Sequence, residues 1–127
     1  MIVLDASVLI AFLNPADQHH DRSTEILAAG AGDGFGVHQF TLAEVLVGGV
    51  RVGRANQLLA DLRAVGVIPL QPAPNEPLIL AELRATTGLK MPDCCVLAAA
   101  LHHTVPLATF DARLRSVATS LGLSVLD

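Results

Sequence analysis

Four acidic residues in this chain differ from the rest in their surroundings. Asp5 directly follows the apolar run Ile2-Val3-Leu4, and Glu44 sits within Thr41-Leu42-Ala43-Glu44-Val45-Leu46. Asp93 sits in Met91-Pro92-Asp93-Cys94-Cys95-Val96, and Asp111 ends Leu107-Ala108-Thr109-Phe110-Asp111. Most other acids lie near turns, other charges or the terminus, as Asp17, Asp21, Asp33 and Asp61 do. Carboxylates gathered in one place repel: two like charges about 4 Å apart cost about 4 kcal/mol at an effective dielectric near 20. Such a group is either partly protonated or holds cations. Ligands that are all oxygen suit Mg²⁺ or Mn²⁺, and two divalent ions would balance four carboxylates in formal charge. A pair of that kind can activate a water and steady the leaving oxygen of an in-line phosphodiester cleavage.

Each acid alone also has a structural explanation. Acids are favoured at helix N-termini by capping and by the helix dipole. Thr41-x-x-Glu44 matches a capping box, in which Glu44 would reach back to the Thr41 amide. Asp111 could cap a final helix, with Arg115 four residues on at salt-bridge spacing. Asp93 follows a proline in a first helical turn. Ser7 either caps the first helix or orients Asp5, and its position alone favours the cap. Spacing by itself leaves two readings open, a joint metal site and four separate helix starts.

The elements that would position these residues alternate along the chain. Short apolar strands are predicted over Ile2–Leu4, Phe35–Gln39, Val67–Leu70, Pro106–Thr109 and Leu123–Leu126, with Pro69 marking the third as an edge strand. Helices are predicted over Ser7–Leu13, Asp21–Ala29, Arg54–Val65, Glu76–Thr87, Pro92–His102 and Ala112–Leu121 by apolar spacing and by their Pro and Gly boundaries. A further helix, Leu42–Val47, is opened by Thr41 and closed by Gly48-Gly49. The Pro92–His102 segment is nearly all apolar, which predicts a helix buried on most faces. Strands alternating with helices imply a parallel sheet covered on both sides. The carboxyl ends of such strands are where an open parallel sheet binds ligands, and Asp5 and Asp111 each follow a strand.

Composition narrows the function classes. The chain has 127 residues, enough for one domain with a true core, and is 52% apolar. Aromatic residues make up 3%, with no Trp or Tyr, so few flat side chains are available for stacking nucleobases. The net charge is −4 and the eight Lys and Arg form no run, unlike a passive nucleic-acid binder with its basic patch. A polyanionic substrate would have to be met by bound metal. Cys94 and Cys95 are adjacent, which suits neither a disulfide framework nor a zinc spacing. They read as small buried apolar residues, in keeping with a reducing cytosol. No signal peptide is evident, and no apolar run approaches a membrane span. His19-His20 and His102-His103 are adjacent pairs that do not share a helix face, so surface or helix-end positions are expected rather than zinc ligation. Arg51, Arg54 and Arg113 read as solvated charges, whereas Lys90, close to Asp93, is the best candidate for a phosphate contact.

Taken in order, the four acidic segments resemble the motifs of the PIN-domain family, and within it the VapC-type toxins of VapBC toxin–antitoxin systems. Ile2-Val3-Leu4-Asp5-Ala6-Ser7 is similar to the first motif, an acid at a strand end with Ser or Thr two residues later. Thr41-Leu42-Ala43-Glu44-Val45 resembles the second, Lys90-Met91-Pro92-Asp93 with Val96 to Leu101 the third, and Leu107-Ala108-Thr109-Phe110-Asp111 the fourth. The resemblance implies a single domain over residues 1–127 with a three-layer α/β/α sandwich and a central, mostly parallel sheet. It implies a Mg²⁺- or Mn²⁺-dependent endoribonuclease, cytoplasmic, dimeric and paired with a VapB-type antitoxin, that leaves a 5′-phosphate and a 3′-hydroxyl on RNA. It carries over Asp5, Glu44, Asp93 and Asp111 as the metal-holding catalytic acids, and Ser7 and Thr109 as residues that support them.

The chain departs from that pattern in one respect. Family members often carry another acid shortly after the third-motif Asp or near the fourth motif, but Cys94–Leu101 and Ala112–Arg115 contain none. A second metal would then be weakly held and completed by the substrate phosphate. A degenerate scaffold that binds RNA or a protein without cutting is the alternative, and the presence of all four acids argues against it. A receiver domain needs a second acid beside Asp5, a haloacid-dehalogenase-type phosphatase needs an acid at Ser7, and a dinucleotide binder needs glycines after the first strand. None of these requirements is met.

Overall fold

A computed structural model describes all 127 residues. In chain order the elements are β1 (Ile2–Leu4), α1 (Ala6–Leu13), α2 (His20–Gly30), β2 (Phe35–His38), α3 (Gln39–Arg51) and α4 (Ala55–Ala64). They continue with β3 (Val67–Leu70), α5 (Glu76–Thr87), α6 (Met91–His103), β4 (Leu107–Ala108), α7 (Ala112–Ser120) and β5 (Val125–Leu126). The five strands form one sheet in the order β3-β2-β1-β4-β5, and every pairing is parallel. The expected parallel sheet is therefore present, with β3 and its Pro69 at an edge. No helix is long and apolar enough to cross a membrane.

Strand side chains alternate between two cores, as the pleat requires. Ile2, Leu4, Phe35, Val37, Val67 and Ala108 face the core closed by α1 to α4. Val3, Leu70 and Leu107 face the core closed by α6 and α7, against which α5 packs Leu80 and Leu83. The result is three layers, helix on sheet on helix. Gly36 shows how tightly the second face is filled: a Cβ there would come within 2.7 Å of the Leu70 side chain. Helix α6 runs along this face with Cys94 to Ala100 buried without a break, as its near-continuous apolar sequence predicts.

One helix departs from expectation. Helix α3 begins at Gln39, not Thr41, and continues through Gly48 and Gly49 to Arg51. Its cap is His38, whose Nδ1 accepts the Phe40 amide at 3.0 Å. Thr41 is thus inside the helix, and its hydroxyl is buried without a partner, so the capping box with Glu44 does not form. Gly49 does not end the helix because its missing side chain has a packing role. A Cβ at that position would stand 3.2 Å from the Ala55 backbone of α4, so glycine lets the two helices approach.

The sheet winds outward from β1 in both directions. Chain order runs β1, β2, β3 toward one edge and then returns to place β4 and β5 on the other side of β1. The crevice between the carboxyl ends of β1 and β4 is the switch point, where open parallel sheets bind ligands. Asp5 follows β1, and Thr109 to Asp111 follow β4.

Candidate active site

Asp5 lies at the centre of this crevice. It is 7% exposed and is the sole buried acidic or basic side chain in the molecule. One oxygen, Oδ1, accepts the Ala6 amide at 2.8 Å and so caps α1. The other, Oδ2, accepts two hydroxyl hydrogen bonds, from Ser7 Oγ at 2.7 Å and from the fully buried Thr109 Oγ1 at 2.8 Å. Ser7 therefore orients Asp5 and does not cap the helix, contrary to what its position alone favours. Its oxygen also accepts the Phe110 amide at 3.1 Å, while Thr109 Oγ1 accepts the Asp111 amide at 3.0 Å. Three hydrogen bonds hold the Asp5 carboxylate in one orientation and link β1 to the segment after β4.

The other three acids arrive from separate helices. Glu44 stands in the second turn of α3, Asp93 in the first turn of α6, and Asp111 at the start of α7. Of the three, only Asp111 also has a confirmed capping bond, its Oδ1 accepting the Leu114 amide at 2.8 Å. The anticipated Asp111–Arg115 pair is absent, because Arg115 pairs with Asp127 instead. Glu44, although exposed at the rim, has its pKa raised, first by partial burial of its carboxyl and then by the charges of Asp5 and Asp93. The Asp93 pKa is raised by burial, then by Asp5 and Asp111, and is only partly relieved by Lys90 and Arg113. Glu44 and Asp93 thus each sense the charge of acids that come from other parts of the chain. None of them forms an ion pair with a basic side chain.

The donor set fits a hard divalent cation. All four side chains offer oxygen, Asp5 is pre-oriented by hydroxyls, and the charge is uncompensated. No three acidic, histidine or cysteine side chains converge closely enough to form a ready-made coordination sphere, so a cation would have to draw the carboxylates together. The largest cleft, about 480 Å³ between α2 and the end of α4, is apolar and contains none of the acids. A smaller groove of about 300 Å³ does reach Glu44, with Ile10, Leu13, Val45 and Leu58 among its walls.

Two residues escaped the sequence reading. His38, at the end of β2, directs Nε2 at both oxygens of Glu76, 3.1 Å from each, and both side chains are mostly buried. Because Nδ1 accepts an amide proton, Nε2 carries the imidazole proton and donates it to Glu76. The signal available was a histidine directly after an apolar strand, in the place Asp5 occupies after β1. The Cys95 thiol nearby is pushed up to about 11, by burial first and then by Glu76, Cys94 and Glu44. Both cysteines are free and buried, as their apolar setting predicts. The histidine pairs do not gather into a metal site. His19 stacks on Phe110, His20 Nδ1 bonds the Ala11 carbonyl at 2.8 Å, and the rings of His102 and His103 meet edge to face.

The fold has counterparts among solved structures. The fold is similar to VapC20 of Mycobacterium tuberculosis, a sarcin–ricin-loop-cleaving toxin, at 16% identity and a TM-score of 0.76, over 92% of this chain and 95% of that one. It is also similar to FitAcB of Neisseria gonorrhoeae at 22% identity and a TM-score of 0.72, over 100% and 97% of the two chains. A toxin–antitoxin complex from Klebsiella pneumoniae is similar at 22% identity and a TM-score of 0.71, over 87% of each chain. No curated protein sequence matches at a significant level. The PIN domain family model matches residues 2–120, a span that takes in all four acids, and the chain belongs to the PIN domain family.

Proposed function

We propose that the protein is a Mg²⁺- or Mn²⁺-dependent endoribonuclease, one domain over its whole length, acting as the toxin of a cytoplasmic toxin–antitoxin pair. The observation that carries the catalytic reading is Asp5, a buried carboxylate without a cationic partner, charge-coupled to Glu44 and Asp93 at the sheet's switch point. Asp5, Glu44, Asp93 and Asp111 would hold the metal, which when bound lowers the pKa of a coordinated water and neutralises charge on the phosphate. Ser7 and Thr109 fix the direction in which Asp5 presents its free lone pairs. Glu44 or Asp111, the two exposed acids, would orient and deprotonate the attacking water together with the metal. Lys90 and Arg113 lie near enough to lower the Asp93 pKa, and they can meet the phosphate from the α6 and α7 side.

The toxin reading is supported by fold neighbours that are toxins or complexes with antitoxins. It is also supported by surface suited to partners. Ile10, Phe40, Val47, Val50 and Val52 are large apolar side chains left exposed on and around α1 and α3, and Ile10 lines the groove that reaches Glu44. A VapB-type antitoxin and a second copy of the chain are the expected occupants of apolar surface. Calorimetric titration of Mn²⁺ into the chelated protein tests the metal site. Binding in the parent that is lost in Asp93→Asn supports it, and absence of binding in both, with RNA present or not, leaves the non-cutting scaffold.

A further inference from the structure

The aromatic residues are few, and one of them is placed beside the acids. Phe110 is the residue between Thr109, which bonds Asp5, and Asp111. Consecutive Cα atoms are about 3.8 Å apart, so its backbone belongs to the site. Its side chain turns to the opposite face from Leu114 and packs against the α1–α4 core. There the His19 ring lies on it, with centroids 4.5 Å apart and planes inclined by 17°. This is parallel stacking, the arrangement flat rings offer a third ring. His19 is exposed, and its ring makes no hydrogen bond to the protein, whereas its neighbour His20 is tied to Ala11. Its backbone is held in place, its amide donating to Asp17 Oδ1 at 2.8 Å.

We infer that His19, backed by Phe110, is a stacking platform for one unpaired nucleobase of the RNA, next to the phosphate at the acids. The inference rests on the ribonuclease reading above. The site has two unlike flanks. Lys90 and Arg113 stand on the side of α6 and α7, where they meet phosphate charge. His19 and Phe110 stand on the side of α1 and α2, where there is no basic cluster to hold a backbone but there is a flat ring to hold a base. Stacking is tolerant of base identity because every base has a π-face. The platform therefore selects single-stranded over duplex RNA and does not by itself read sequence.

The test uses a labelled 12-nucleotide single-stranded RNA of mixed sequence, bound to the full chain with its four acids intact, with Ca²⁺ in place of Mn²⁺ to fill the site while suppressing cleavage. Adding His19→Ala is expected to weaken binding by at least about fivefold, while adding His19→Trp retains it and His19→Gln does not. Equal affinity in the Ala and parent backgrounds, or a Trp variant as weak as Ala, overturns the platform. Cleavage of the same RNA by the unmutated chain in Mn²⁺ is followed in parallel. RNA bound through His19 but never cleaved would sink the nuclease reading and leave the platform standing. Cleavage with affinity indifferent to His19 would do the reverse, and neither binding nor cleavage overturns both.

Discussion

Asp5 does two jobs with one carboxylate. Oδ1 caps α1 through the Ala6 amide, and Oδ2 is shared between the hydroxyls of Ser7 and Thr109. Hydroxyls stabilise a carboxylate without neutralising it, so the charge stays available to a cation. Hydrogen-bond partners of metal-holding carboxylates typically contribute 10- to 100-fold in affinity or activity. Ser7→Ala and Thr109→Val should therefore each weaken Mn²⁺ binding by about that factor while the protein stays folded, as read by calorimetry and circular dichroism. Unchanged Mn²⁺ affinity in both would mean that the two hydroxyls serve packing alone. The Ser7 contact was legible only through family resemblance, since its position alone favoured a helix cap. Thr109 was legible only through family resemblance, because its partner lies 104 residues away.

At the scale of elements, α3 matters most, since it carries Glu44. Its start is set by a relay: Glu76 accepts from His38 Nε2, and His38 Nδ1 accepts the Phe40 amide. Breaking the relay leaves a mostly buried imidazole N–H unpaired, at a cost of about 1–3 kcal/mol. Glu76→Ala should lower stability by that amount in urea unfolding, and Glu76→Gln, which keeps an acceptor, by less. Equal losses would place the effect in the charge and not in the hydrogen bond. This relay explains why the helix start was misread. Thr41-x-x-Glu44 has the spacing of a capping box, but the cap is supplied by a residue of the preceding strand held from another helix, which no local pattern contains. Gly48-Gly49 misled for a related reason, since the close approach of α4 decides that Gly49 stays helical. By contrast β1, α6 and the α5 boundary at Gly88 were legible, because their apolar runs and their Pro and Gly limits are local signals.

For the whole molecule, the acid cluster is a source of instability while no cation is bound. Glu44 and Asp93 have raised pKa values, so the folded protein holds their protons more tightly than the unfolded chain does. Their contribution to stability is fully present below their ordinary values, near 4.5 and 3.8, and is lost as pH rises through the raised folded values. In chelator, Asp93→Asn should accordingly melt higher than the parent at neutral pH and show a smaller difference at acid pH. Added Mn²⁺ should raise the melting temperature of the parent and not of the variant, because a ligand that binds only the folded state stabilises it. A variant that melts lower than the parent in chelator would show that the Asp93 charge helps the α6 N-terminus more than it strains the cluster. The three-layer architecture was legible from the alternation of strands and helices. The order of the strands was not, since the chain's return from one sheet edge to the other depends on non-local pairing.

The central claim is that Asp5 anchors a metal-dependent RNA-cleaving site. It is tested most directly by comparing cleavage of single-stranded RNA by the parent and by Asp5→Asn in Mn²⁺. The account predicts cleavage by the parent, abolished by chelator, and a loss of at least about a hundredfold in the variant, whose Asn side chain can keep the α1 cap. Cleavage by Asp5→Asn at the parent's rate would contradict it.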